Sequence, residues 1–181
     1  WTRAITGAVE GVPDEVIARA ATLLIGAPLV LTAGNGGSAS LASHAAQALM
    51  KPDYKAERGY PAMCLTDAIP TLTAHANDAS WEAALQRVAQ PFLTLSPIFL
   101  LISSSGTSKN IVTLAETARA GNCEIVAMTG FKGDPLRSLA TISIHVNSED
   151  YEVIEPAHDA LIHRLQYHVR SRPPVIHVET L

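Results

Sequence analysis

Pro28-Leu-Val-Leu-Thr-Ala33 runs directly into Gly34-Asn-Gly-Gly-Ser38, and the alanine-rich stretch from Ala39 to Met50 follows. A short apolar run closed by glycines, then a longer run of good helix formers, spells strand, tight loop and helix. The unit recurs: Pro97-Ile-Phe-Leu-Leu-Ile102 leads into Ser103-Ser-Ser-Gly-Thr-Ser108, and helically spaced apolar residues run from Ile111 to Ala120. Working outward, short apolar runs at 62–65, 124–128 and 141–146 alternate with helical stretches, among them Trp81 to Ala89 and a last helix from Pro156 to Val169. Asp14 to Ile25 makes an opening helix, with Val16, Ile17, Ala20, Ala21, Leu23 and Leu24 at helical spacing behind Pro13. This alternation predicts the α/β class: a mostly parallel sheet covered on both faces, a three-layer αβα sandwich. In such sheets ligands bind beyond the carboxyl ends of the strands, where both the glycine and the serine loops fall.

At 181 residues the chain fits a single domain with a substantial core. The expected division is an N-terminal helix within 1–27, an α/β core over 28–169 and a tail over 170–181, the last without a place in the plan. Hydrophobic residues make up 48% and charged ones 17%, which leaves apolar surface for self-association and predicts a homo-oligomer. The formal charge of −4, with Lys and Arg scattered, argues against a nucleic-acid partner. No apolar run reaches the roughly 20 residues of a membrane helix, and the start lacks a signal-peptide layout. Cys64 and Cys123 each sit in an apolar run, so buried thiols in a reducing cytoplasm are expected rather than a disulfide or a metal pair. The chain begins at Trp1 instead of Met, which fits a trimmed sequence or one domain of a longer protein.

The loop Gly34 to Ser38 lets the backbone approach a ligand closely, and Ser38 with the following helix N-terminus supplies donors to an anion. On residues alone a purely structural turn explains it as well. The second loop puts hydroxyls at Ser103, Ser104, Ser105, Thr107 and Ser108 before a helix, the composition of an uncharged phosphate cradle; the plainer alternative is a polar N-cap at Ser108. Neither loop has the lysine of a nucleotide P-loop, and the glycine spacing departs from the dinucleotide fingerprint. A sugar phosphate fits better than a nucleotide.

Together these loops resemble the SIS (sugar isomerase) domain of phosphoheptose isomerases, whose familiar forms read Gly-Asn-Gly-Gly-Ser-Ala and Ile-Ser-Thr-Ser-Gly-Asn-Ser. Leu72-Thr-Ala-His-Ala-Asn-Asp78, Met128-Thr-Gly130 and the stretch from Glu155 to His163 resemble further family segments, in family order, over about Val30 to Val169. The resemblance implies a flavodoxin-like SIS fold, a tetramer, and a ligand site lined by Asn35, Gly36, Gly37, Ser38, Asn77, Asp78, Ser103, Ser104, Ser105 and Ser108. On chemistry alone Asn77 and Asp78 also suit a helix-ending turn. The implied reaction interconverts a ketose phosphate and an aldose phosphate, sedoheptulose 7-phosphate or a related seven- or eight-carbon sugar, through an enediol. The alternative, from a different class, is a non-catalytic SIS module that binds a sugar phosphate or a protein partner in a regulatory role.

Family members hold a zinc ion and move protons with a His and a Glu four apart on the first loop's helix, and a Gln and a His eight apart near the last helix. Here His44 matches the first histidine, but the glutamate position is Ala48; His163 matches the last, but the glutamine position is Glu155. The expected exchange makes Glu155 the replacement carboxylate, with His44, Glu155 and His163 as zinc ligands and Glu155 and His163 as catalytic groups. Eight residues of straight helix span about 12 Å, so the pair meets at one ion only if Pro156 starts the helix and Glu155 bends inward, or if a neighbouring subunit supplies one of them. His158 and Asp159 are expected as supporting groups. Lys51 and Arg58 fall near the expected mouth, and the family's arginine is Pro52 here.

Overall fold

Five short runs of β-branched and apolar residues pair edge to edge because neither face of such a strand tolerates water. They are β1 (Val30–Ala33), β2 (Ala62–Cys64), β3 (Ile98–Ser103), β4 (Ile125–Thr129) and β5 (Ile142–His145). The computed structural model describes residues 1–53 and 59–171. All pairings are parallel, in the order β2-β1-β3-β4-β5, with Val30 opposite Ile98 and Phe99 opposite Ile125. This is the flavodoxin-like order, and its switch point lies between β1 and β3, where successive connections leave in opposite directions. The loops after these two strands are the glycine and serine loops.

Strand β3 is buried at all six residues and shows how the layers form. Leu100 and Ile102 face the core built with Ile17, Leu24, Leu49 and Leu161 from helices α2 (Asp14–Ile25), α3 (Gly37–Met50) and α8 (Tyr151–Arg170). Phe99 and Leu101 face the opposite core, with Leu85, Leu114 and Leu136 from α5 (Trp81–Ala89), α6 (Lys109–Ala120) and the single turn α7 (Leu136–Leu139). Cys64 and Cys123 are both free and buried, and burial pushes the Cys123 thiol upward in pKa. Among the described residues no helix is long and apolar enough to cross a membrane.

Helix α8 departs from expectation at its start. Asp150 caps it, its Oδ1 accepting from the Glu152 N–H at 2.9 Å, so Pro156 is the sixth helical residue rather than the first. Proline at that place has no N–H for the Glu152 carbonyl. The Trp1 indole takes the vacant role, its Nε1–H donating to Glu152 O at 3.0 Å. Trp1 precedes a further helix, α1 (Thr2–Glu10), so residues 1–27 hold two helices where one was expected. Arg164 of α8 fastens the turn between α1 and α2, donating to the carbonyls of Val9 (2.9 Å) and Val12 (3.1 Å) and pairing with Asp14 at 2.9 Å. The Arg164 guanidinium and His168 together lower the pKa of the Asp14 carboxyl.

Arg164→Ala strands two carbonyls and should cost roughly 1–3 kcal/mol by denaturant unfolding. Limited proteolysis should then cut first between α1 and α2.

Candidate functional site

Two loops meet at the switch point, and an amide pair joins them. Asn35 Nδ2 donates to Asn110 Oδ1 at 2.8 Å and Asn110 Nδ2 returns the bond to Asn35 Oδ1 at 2.9 Å. Asn110, the second residue of α6, is 1% exposed, so the pair sits where water competes poorly. Gly36 takes φ +53°, a backbone that favours glycine, and turns the chain into α3. Ser103 braces the other loop, its Oγ accepting from the Gly106 N–H at 3.2 Å and donating to Ser108 Oγ at 3.3 Å. Thr107 donates from both N–H and Oγ1 to Ser105 Oγ. Between the loops lies a cleft of about 90 Å³ lined by Asn35, Ser38, Ile102, Ser103, Ser104, Ser105, Ser108, Tyr151 and Glu155. Ser104 Oγ is buried there without a hydrogen-bond partner among the described residues. An orphaned hydroxyl beside a helix N-terminus suits an oxyanion that accepts its proton.

Helices α3 and α8 run side by side in the same direction away from this cleft. At the near end the Glu155 carboxylate lies directly over Gly37, so closely that a Cβ at Gly37 would overlap it. Two turns further along, His44 faces α8: its Nδ1 is 3.0 Å from Asp159 Oδ1, and its ring meets that of His163 edge-on with centroids 4.9 Å apart. One donor atom from each of His44, Asp159 and His163 falls within 4.8 Å of the others. Two imidazoles and a carboxylate are a donor set that zinc takes, with room for a further ligand.

Most of the expected ligand positions therefore gather at one cleft, but not all in the expected role. Asn35 spends its amide on Asn110. Gly36 and Gly37 form the turn and the bed for Glu155. Asn77 and Asp78 are exposed on the last turn of α4 (Ile69–Asp78), where Asn77 Nδ2 donates to Asp78 Oδ1 at 3.0 Å, and they do not line the cleft. Of the expected metal set, His44 and His163 come together while Glu155 stands apart from them. The reason lies at Pro156: the helix starts before it, so within one chain Glu155 does not fold back toward His163. Asp159 holds the third place. Lys51 is exposed at the end of α3, and Arg58 lies outside the described residues.

A family model described as SIS domain matches residues 3–130, which is most of the chain. The chain belongs to the SIS domain family. It is 36% identical over 166 residues to a phosphoheptose isomerase of Shewanella sediminis, covering 87% of this chain and 83% of the relative. Over 132 residues it is also 36% identical to a probable phosphoheptose isomerase of Thermoplasma volcanium, covering 73% of this chain and 67% of the relative. The solved structure of a phosphoheptose isomerase from Francisella tularensis matches with a TM-score of 0.83 at 27% identity, covering 94% of this chain and 93% of that one.

Two features of this SIS domain went unread in the sequence, the Asn110 half of the amide pair and Tyr151 in the cleft wall. Asn110 carried a signal, since a buried amide two residues past a serine loop has few partners other than the facing loop. A third concerns His158, expected only as a supporting group. It is fully buried beneath the site, its Nε2 3.2 Å from the Thr129 carbonyl and its Nδ1 without a partner among the described residues. Thr129 Oγ1 in turn lies 3.0 Å from His145 Nδ1. Burial lowers the His158 pKa to about 4, and burial with the Arg137 charge lowers that of His145.

His158 thus ties folding to pH. Between about 6.5 and 4 the unfolded chain binds a proton that the folded chain refuses, so stability present above pH 6.5 is lost as pH falls. The loss for this group alone is about 3 kcal/mol by pH 4. Denaturant unfolding at pH 7 and 4.5 should show His158→Gln, which keeps a donor for Thr129, to be less pH-dependent than the unsubstituted chain. Equal pH dependence would refute it.

Proposed function

We propose that this chain, one SIS domain over residues 1–181, is a phosphoheptose isomerase that interconverts sedoheptulose 7-phosphate, or a related seven- or eight-carbon ketose phosphate, with the aldose phosphate. The observation that carries the reading is the juxtaposition at the switch point: a hydroxyl-lined cleft with the orphaned Ser104 Oγ, and Glu155 on its rim over Gly37. The names of the relatives supply the chain length of the sugar.

Phosphate seats among Ser38, Ser103, Ser104, Ser105 and Ser108, whose hydroxyls and helix N-termini donate to it without adding positive charge. Glu155 is a carboxylate, so it serves the sugar and not the phosphate. It removes the proton from the carbon beside the carbonyl and returns it to the neighbouring carbon of the enediol. The Glu155 carboxylate lies over Gly37, where a Cβ would overlap it, and this close approach to the loop supports the role. His44 and His163 hold zinc in this reading; the ion when bound polarises the sugar's oxygen end as a Lewis acid. In this reading His163 also keeps the proton-transferring role expected of it, through the ring nitrogen that does not hold the ion. The same reading takes the chain to be a cytoplasmic homotetramer, which the exposed Trp1, Ile69, Trp81 and Leu95 support as surface for other subunits.

The purified chain, given sedoheptulose 7-phosphate and zinc, should form the aldose phosphate as followed by NMR. Glu155→Gln should lower kcat roughly 100- to 10,000-fold with KM little changed. Binding of the sugar phosphate without turnover in the unsubstituted chain would instead favour a non-catalytic module. Light scattering should give four chains per particle.

A further inference from the structure

We propose that Asp159 supplies the carboxylate of the metal site in this chain, and that Glu155 is thereby left free of the ion. The inference takes the metal from the isomerase reading above, but which residues hold it is argued from the side chains. On α3 the residue one turn beyond His44 is Ala48, 1% exposed and closed in by the core, so that helix offers the ion no carboxylate. On α8 the residue one turn before His163 is Asp159, and it faces His44. Residues four apart share a helix face, so Asp159 and His163 present their donors to the same point on the neighbouring helix.

The distances are compatible with ligation. Two donors 2.0–2.1 Å from a tetrahedral zinc ion lie about 3.3 Å from each other. His44 Nδ1 and Asp159 Oδ1 are 3.0 Å apart, close to one edge of such a tetrahedron, and the whole set lies within 4.8 Å. Small side-chain adjustments then admit the ion. Asp159 is half exposed, with 49% of its side chain accessible, so its carboxylate is open to solvent. Glu155, one turn back toward the cleft, is about 6 Å from Asp159 along the helix axis. A base at that remove keeps its lone pairs for the substrate carbon, and a ligating carboxylate does not. The chain thus divides between two residues, Asp159 and Glu155, what a single ligating base would have to do alone.

Zinc titration by calorimetry on the EDTA-stripped full chain, without substrate, tests this. The unsubstituted chain should bind one zinc per subunit. Asp159→Asn should bind at least 100-fold more weakly, and Glu155→Gln within about threefold of the unsubstituted chain. A loss below 100-fold for Asp159→Asn would overturn the proposal, since that is what removing a carboxylate that only orients a ligating histidine costs. Zinc lost equally in Glu155→Gln, or not bound by the unsubstituted chain, would overturn it too. Circular dichroism of the stripped variants checks that each is folded, and Asp159→Ala takes the place of Asp159→Asn should the latter fail. Because no turnover is measured, zinc binding as described with no isomerisation would sink the proposed function while leaving this inference standing.

Discussion

Everything at the site depends on how α8 is held in rotation. Val153, Ile154, Ala157, Leu161, Ile162, Leu165 and Val169 are buried along one side, and a helix with that many core contacts has one angular setting. Given that setting, Glu155, Asp159 and His163 follow at successive turns on the flank toward α3. Four residues advance about 6 Å and overshoot a full turn by about 40°, so the row climbs slowly across the gap between the helices. Gly37 and His44 meet it from α3. The candidate residues are spread along a seam between two parallel helices, one end at the serine-lined cleft and the other at the histidines.

The sheet order explains why the seam starts where it does. At the β1/β3 switch point one connection goes to each side of the sheet, so α3 and α6 point their N-termini at a common space from opposite layers. Left alone, those two loops would move independently. The paired amides of Asn35 and Asn110 couple them, and the cost of leaving either amide unsatisfied in a buried place keeps the coupling closed. In the proposed reading the serine loop offers phosphate oriented hydroxyls and backbone N–H groups in place of a cation.

What the sequence made legible was whatever has a local cause. Strands β1 and β3 and their loops were readable because glycine and serine runs after apolar stretches have few other uses, and α5 came out over Trp81–Ala89 as observed. Helix α1 was missed although Ala4, Ile5, Ala8 and Val9 repeat at helical spacing, because no residue in it is buried and its place is set by contacts with α8. The start of α8 was misread for the reason that proline usually signals a helix start. Here the cap at Asp150 and the buried Val153 and Ile154 outweigh it, and the carbonyl it strands finds the Trp1 indole, 151 residues away in sequence. The metal grouping was partly legible: His44 and His163 were picked out by resemblance to the family, while Asp159 was expected only as a supporting group, because facing across two helices is a tertiary fact.

The seam between α3 and α8 also makes an asymmetric demand on inheritance. Point changes on the outer side of α8 alter nothing that the seam uses. Adding or deleting one residue between Glu155 and His163 would turn everything beyond it by about 100°, carrying one end of the row away from α3 while the other stayed. No side-chain adjustment compensates for that. The segment is therefore rigid in length, the reverse of a surface loop, and its spacing of eight sets the separation of Glu155 and His163 along the seam.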